Sequence, residues 1–114
     1  MKTLALAVLA VLALCAAGCS STLACTTICT TQNGCSAATM RDCTALCGRI
    51  ATISSGGNCS AQYDEYRICE SAIVICSPSQ SLCDDERAAW ATCAGTYCAA
   101  HGTDANCAGG APAL

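Results

Sequence analysis

The stretch "CTTICTTQNGCSAATMRDCTALC", Cys25 to Cys47, decides the fold. It holds two C-x3-C motifs, Cys25/Cys29 and Cys43/Cys47, separated by residues 30–42. Residues i and i+4 share one face of a helix, so each motif presents two thiols to a partner helix. Asn33-Gly34 punctuates the end of the first helix. Ser36 or Thr39 is expected to cap the second, with Asp42 as the third position of a capping box. In an antiparallel hairpin the outer cysteines meet and the inner ones meet, which predicts Cys25–Cys47 and Cys29–Cys43.

A second twin follows. Cys59-x9-Cys69 and Cys83-x9-Cys93 are again separated by 13 residues, 70–82. Ten positions make almost three helical turns, leaving the two thiols about 80° apart around the axis, still on one broad face. The same geometry predicts Cys59–Cys93 and Cys69–Cys83. Ser54-Ser55-Gly56-Gly57-Asn58 reads as a linker and midpoint hinge. Ser60 is expected to cap a third helix over AQYDEYRICESAIVI, with Pro78 in the next loop. Ser81 to Asp84, S-L-C-D, reads as a capping box for a fourth helix. That helix carries Asp84, Asp85 and Glu86 at its positive end and stops near Ala100 before Gly102. Trp90 and Tyr97, seven residues apart, and Tyr66 read as core aromatics beside the bridges. Cys35, Cys76, Cys98 and Cys107 remain, paired here as Cys98–Cys107 and Cys35–Cys76. Spacing does not fix connectivity, so the set is an expectation. The fold class expected is all-α: two disulfide-stapled helical hairpins in one small domain.

Composition explains why staples are needed. The chain has 114 residues, 14 cysteines, one tryptophan, three tyrosines and no phenylalanine. Ala, Ser, Thr and Gly dominate, so little apolar area is available for burial. Small exported domains with weak cores rely on disulfides. A bridge closing a loop of about 15 residues contributes about 3 kcal/mol, mainly by restricting the unfolded chain. The net charge is −3, and Arg41, Arg49, Arg67 and Arg87 form no basic cluster. This excludes a nucleic-acid partner and electrostatic binding to anionic membranes.

The N-terminus reads as a secretory leader: Met1-Lys2, then apolar TLALAVLAVLAL, then small Ala16-Ala17-Gly18. The apolar run is shorter than the ~20 residues a spanning helix needs. The exit A-A-G-C resembles the lipobox of bacterial lipoproteins, with Ala16 where that family usually has Leu. The resemblance implies cleavage between Gly18 and Cys19, a diacylglycerol on the Cys19 thiol, and a membrane partner reached through that lipid. Cleavage after Ala24 in S-T-L-A, giving a secreted product, stays open. Cys15 leaves with the leader and Cys19 takes lipid. That leaves Cys25, Cys29, Cys35, Cys43, Cys47, Cys59, Cys69, Cys76, Cys83, Cys93, Cys98 and Cys107, an even set with no orphan thiol. The organisation expected is a signal peptide over 1–18, a lipidated tether over 19–24, a cysteine-rich helical domain over 25–107 and a flexible tail over 108–114.

The twin C-x9-C resembles the paired-helix domains of mitochondrial intermembrane-space proteins. The twin C-x3-C resembles the α-hairpinins. In overall style, "CTALC", "NCSAQYDEYRIC" and "LCDDERAAWATC" resemble the alanine-rich, cysteine-rich predicted lipoproteins of myxobacteria and related bacteria, which are uncharacterised. The first two resemblances imply hairpin geometry. The third implies an extracytoplasmic, anchored protein, and Ser20 after the lipidated cysteine implies, by analogy with bacterial lipoproteins, sorting to the outer membrane rather than retention elsewhere on the periplasmic face.

Chemistry-bearing motifs are sparse. C-x2-C is absent, which removes thioredoxin-like and haem c readings. Zinc would use the C-x3-C pairs. Cu(I) sequestration would use soft thiolates, with His101 and Met40 as the only His and mature Met. Arg41 or Arg49 could serve as inhibitor bait. Asn58-Cys59-Ser60 matches a glycosylation sequon. No nucleophile elbow, H-E-x-x-H or phosphate loop occurs. The expectation is a non-enzyme without cofactor or metal, a structural or interaction protein with an unidentified protein partner. Metal sequestration and a secreted inhibitor are the alternatives.

Overall fold

The computed structural model describes residues 23–36, 40–73 and 75–114. Four α-helices and no strands occur among them: α1 (Cys25–Asn33), α2 (Cys43–Gly56), α3 (Ser60–Ala72) and α4 (Asp84–Ala100), with 3-10 turns at Pro78–Cys83 and Ala105–Cys107. The leader, Cys15, Cys19, the Gly18–Cys19 bond and Thr39 lie outside the described residues.

The helices form two hairpins, α1 on α2 and α3 on α4. The bridges nest as antiparallel packing requires. Cys25–Cys47 is outer and Cys29–Cys43 inner in the first hairpin, with Cα separations of 5.9 and 5.6 Å. Cys59–Cys93 and Cys69–Cys83 do the same in the second, both at 5.8 Å. Cys98–Cys107 ties the end of α4 to the next turn, and Cys35–Cys76 joins the two hairpins.

The hairpin turn after α1 is held by Asn33. Its Nδ2 donates to the Arg41 carbonyl at 2.8 Å and its Oδ1 accepts from the Arg41 amide at 3.0 Å. The Arg41 guanidinium reaches back to Gln32 Oε1. The α2 cap differs from the expected box: Asp42 is itself the N-cap, accepting from the Ala45 amide at 3.0 Å, and the helix starts at Cys43. A carboxylate immediately before the first turn satisfies an orphan amide directly, so no more distant hydroxyl is required.

Residues 54–58 are not a hinge. α2 runs through Gly56 and closes in a Schellman turn. Asn58 takes the left-handed conformation (φ 53°), and the Cys59 amide reaches the Ser54 carbonyl at 2.9 Å. The two glycines serve packing: a Cβ on Gly56 would meet Tyr97 Cε2 at 2.9 Å, and one on Gly57 would meet Tyr97 Cβ at 3.0 Å. They let α4 lie close against the end of α2. The next two helices also start differently from expectation. Ser60 is the first residue of α3 with Cys59 at the N-cap, and α4 begins at Asp84 after a 3-10 turn that contains Ser81. α3 stops at Ala72, short of Ile75, where Ile73 turns extended (ψ 164°).

The core is small. Ile28, Ile50 and Ile53 from the first hairpin meet Tyr66, Trp90 and Ala94 from the second, with the buried sulfurs of Cys29, Cys59 and Cys83 among them. Tyr63 and Trp90 pack with ring centroids 5.4 Å apart at 57°, the tilted geometry aromatic pairs favour.

The expected flexible tail over 108–114 is docked. Trp90 Nε1 donates to the Pro112 carbonyl at 2.7 Å, and Tyr66 Oη to the Leu114 oxygen at 3.0 Å. Arg41 Nη1 reaches the Ala113 carbonyl at 3.1 Å. Arg49 clamps the segment before it, from Nε to the Asn106 carbonyl at 2.9 Å and from Nη2 to the Ala108 carbonyl at 2.7 Å. Gly109 (φ 79°) and Gly110 (φ 95°) supply the positive φ that lets the chain double back, and Leu114 ends 8% exposed.

Trp90→Phe keeps an aromatic ring in the core, with less volume, and removes the donor to Pro112. We expect a loss of about 1 kcal/mol in thermal unfolding, with faster proteolysis confined to the segment after Cys107. Trp90→Ala should cost about 3–5 kcal/mol, because it also opens a cavity.

Candidate functional site

The structure brings all twelve cysteines expected as bridge residues into pairs and leaves none of them as a thiol. Among the described residues no group of three or more His, Cys, Asp or Glu side chains could hold a metal ion. His101 is exposed at the end of α4, stacked on Tyr97 (4.1 Å), with Nδ1 2.8 Å from the Tyr97 carbonyl.

Sequence reasoning missed the polar centre between α3 and α4. Glu70 is fully buried. Its Oε1 accepts from Arg87 Nη2 at 3.3 Å, and its Oε2 has no hydrogen-bond partner. Arg87 also donates from Nε to Tyr66 Oη at 3.2 Å and from Nη1 to Asp84 Oδ1 at 2.6 Å. Tyr66 in turn donates its own hydrogen bond to the Leu114 oxygen. A chain of hydrogen bonds thus runs from a surface carboxylate through one guanidinium to a buried carboxylate and the docked tail. The spacing of Tyr66 and Glu70, one helical turn apart on α3, was the available signal. A Glu on an Ala- and Ser-rich helix reads as solvent-facing, and nothing local says that Arg87 will cover it.

Burial pushes the Tyr66 phenol above its ordinary range, against the lowering effect of the Arg87 hydrogen bond. Burial also raises Tyr63, with Arg67 opposing. The hydrogen bond Tyr97 donates to Asp104 raises the third phenol, and the Asn106 amide holds Asp104 below the usual carboxylate range. Tyr66 and Glu70 are fully buried and Tyr66 is bonded to the docked tail, while Arg87 and Asp84 reach solvent. The centre ties α3, α4 and the docked tail together.

Two surface features lie outside this centre. Met40 (72% exposed), Ile68 (53%) and Leu82 (72%) are large apolar side chains turned to solvent. On α1 the exposed hydroxyls of Thr26, Thr27, Thr30 and Thr31 line an open groove of about 280 Å³.

Comparison with protein-family models, curated proteins and solved structures finds no match. The class that fold and cysteines define is therefore physical: a disulfide-stapled, all-helical small domain. Six bridges place it in an oxidising, extracytoplasmic environment. Among the described residues no helix is long and apolar enough to cross a membrane.

Arg87→Met strands Glu70 as a buried, unpaired carboxylate. We expect a loss of about 2–3 kcal/mol in denaturant unfolding, below the full cost of breaking a buried pair because Arg87 is partly exposed. The double variant with Glu70→Met should recover most of it. Spectrophotometric titration should find all three phenols above the ordinary value of about 10. Raised folded-state values mean that the contribution of Tyr63 and Tyr66 to stability is intact below pH ~10 and is lost as pH rises through their folded values. Three phenols titrating normally in the folded protein would contradict this packing.

Proposed function

We propose that the chain is an exported, lipid-anchored cell-envelope protein with a non-catalytic structural or interaction role. The observation that carries this reading is the state of the cysteines. Every cysteine of the helical domain is spent on a bridge, so the sulfur chemistry holds the fold and supplies no thiolates to a ligand. Cu(I) sequestration needs those thiolates free. Glu70 is likewise buried, while Met40, Ile68 and Leu82 stand exposed. The anchor is assigned to Cys19 on the A-A-G-C leader exit, and the outer-membrane or periplasmic placement on that lipobox resemblance and Ser20 after the cysteine.

The end of the expected tether already joins the fold at Leu23. The Leu23 amide donates to Ser71 Oγ at 2.9 Å and Arg67 Nη1 to the Leu23 carbonyl at 3.4 Å, so the segment entering α1 lies along α3. A lipid six residues before Cys25 would hold the domain within a short reach of the bilayer, a few Å per residue at most.

The test is the intact mass of the protein isolated from an exporting bacterial host, with alkylation before and after reduction. A diacylglyceryl increment on Cys19, and twelve alkylations that appear only after reduction, are expected. Cys19→Ala should move the protein from the membrane pellet to the soluble fraction. A wild-type chain beginning at Cys25 without lipid would overturn the anchor, and free thiols carrying copper would overturn the scaffold.

A further inference from the structure

The six bridges are not equivalent. Cys29, Cys59 and Cys83 are fully buried, which shields three of them. Cys25–Cys47 and Cys98–Cys107 join half-buried residues. Cys35–Cys76 joins two exposed residues, and it is the one bridge among the described residues that links the first hairpin to the second. Cys76 also sits at φ 72°, the left-handed region that a residue bearing a Cβ rarely adopts. Exposed bridges that hold backbone in an unfavoured conformation are the ones most open to exchange.

The surroundings suit an incoming chain. The Thr31 carbonyl lies 3.7 Å from Cys35 Sγ and 4.0 Å from Cys76 Sγ. Neither sulfur carries a hydrogen while bridged, so these are contacts; once a thiol is released, the carbonyl is in place to accept a hydrogen bond from its S–H. Thr31 also lines the open threonine groove with Thr26, Thr27 and Thr30. The groove therefore leads along α1 to the bridge.

We propose that Cys35–Cys76 is a thiol–disulfide exchange site, opened by a dithiol protein whose reactive segment lies in the Thr26–Thr31 groove. The partner's thiolate attacks one of the two sulfurs, the Cys35–Cys76 bond breaks, and the other cysteine leaves as a thiolate that takes a proton from solvent. The partner's second thiolate then attacks its own sulfur in the mixed disulfide and releases the second cysteine. The partner ends oxidised and this chain reduced by two electrons. Each hairpin stays stapled by its own nested pair; the covalent link between the hairpins is what opens.

Graded dithiothreitol added to the folded full chain, quenched by alkylation and mapped by peptide mass, tests the site. Cys35 and Cys76 should be alkylated at a reductant concentration at least about tenfold below that needed for any other pair. Another pair opening first, or all six opening together, would overturn the proposal. The groove is tested with thioredoxin as the protein dithiol. T27R/T30R places two large side chains in the groove and should slow reduction by thioredoxin about tenfold while leaving reduction by dithiothreitol unchanged. Equal rates with thioredoxin before and after the substitutions, or an equal slowing with both reductants, would remove the groove from the reaction. Circular dichroism of the variant separates either result from misfolding.

Discussion

Every part of this structure depends on the nested pairing of cysteines across two antiparallel helix pairs. The core behind them holds three isoleucines, two large aromatics, one alanine and the terminal Leu114, with buried sulfur between. Helices of 9 to 17 residues rich in Ala, Ser and Thr are marginal alone, since most helical stability in proteins comes from packing an apolar face. Two bridges per hairpin fix both the register and the antiparallel direction, because outer meets outer only in that arrangement. The glycines at 56 and 57 and the αL turn at Asn58 then allow the second hairpin to close against the first.

A second layer of order is polar and comes from few residues. Arg41 and Arg49 bind backbone carbonyls of the C-terminal segment, and Tyr66 and Trp90 add their own donors to it. Arg87 neutralises a buried Glu70 while holding Tyr66 and Asp84. With few apolar side chains to spend, the chain uses guanidinium groups, which can satisfy several acceptors at once in a fixed fork.

The hairpins were legible because cysteine spacing combines two strong constraints, helical periodicity and the short reach of a disulfide. The helix ends were less so. Asp42 displaced the expected hydroxyl cap, and the glycine-rich stretch at 54–58, which reads as a hinge by composition, is helix plus a tight turn. The docked tail was not legible at all. Gly109, Gly110 and Pro112 look like loose chain, and the donors that order them lie from 22 to 72 residues away in sequence. The ionic centre failed for the same reason: the partner of Glu70 is 17 residues off, on another helix.

The six bridges place the domain in an oxidising, extracytoplasmic environment; the lipid anchor and the exchange at the exposed bridge are what we propose beyond that. The central claim is that disulfides substitute for the missing core. Far-ultraviolet circular dichroism with Trp90 fluorescence, followed while the chain is fully reduced at constant temperature without denaturant, tests it most directly. The account predicts that helical signal collapses and Trp90 moves into water once the nested pairs open. A fully reduced chain that keeps its helicity and a buried Trp90 would show that packing alone holds the fold, and would contradict the claim.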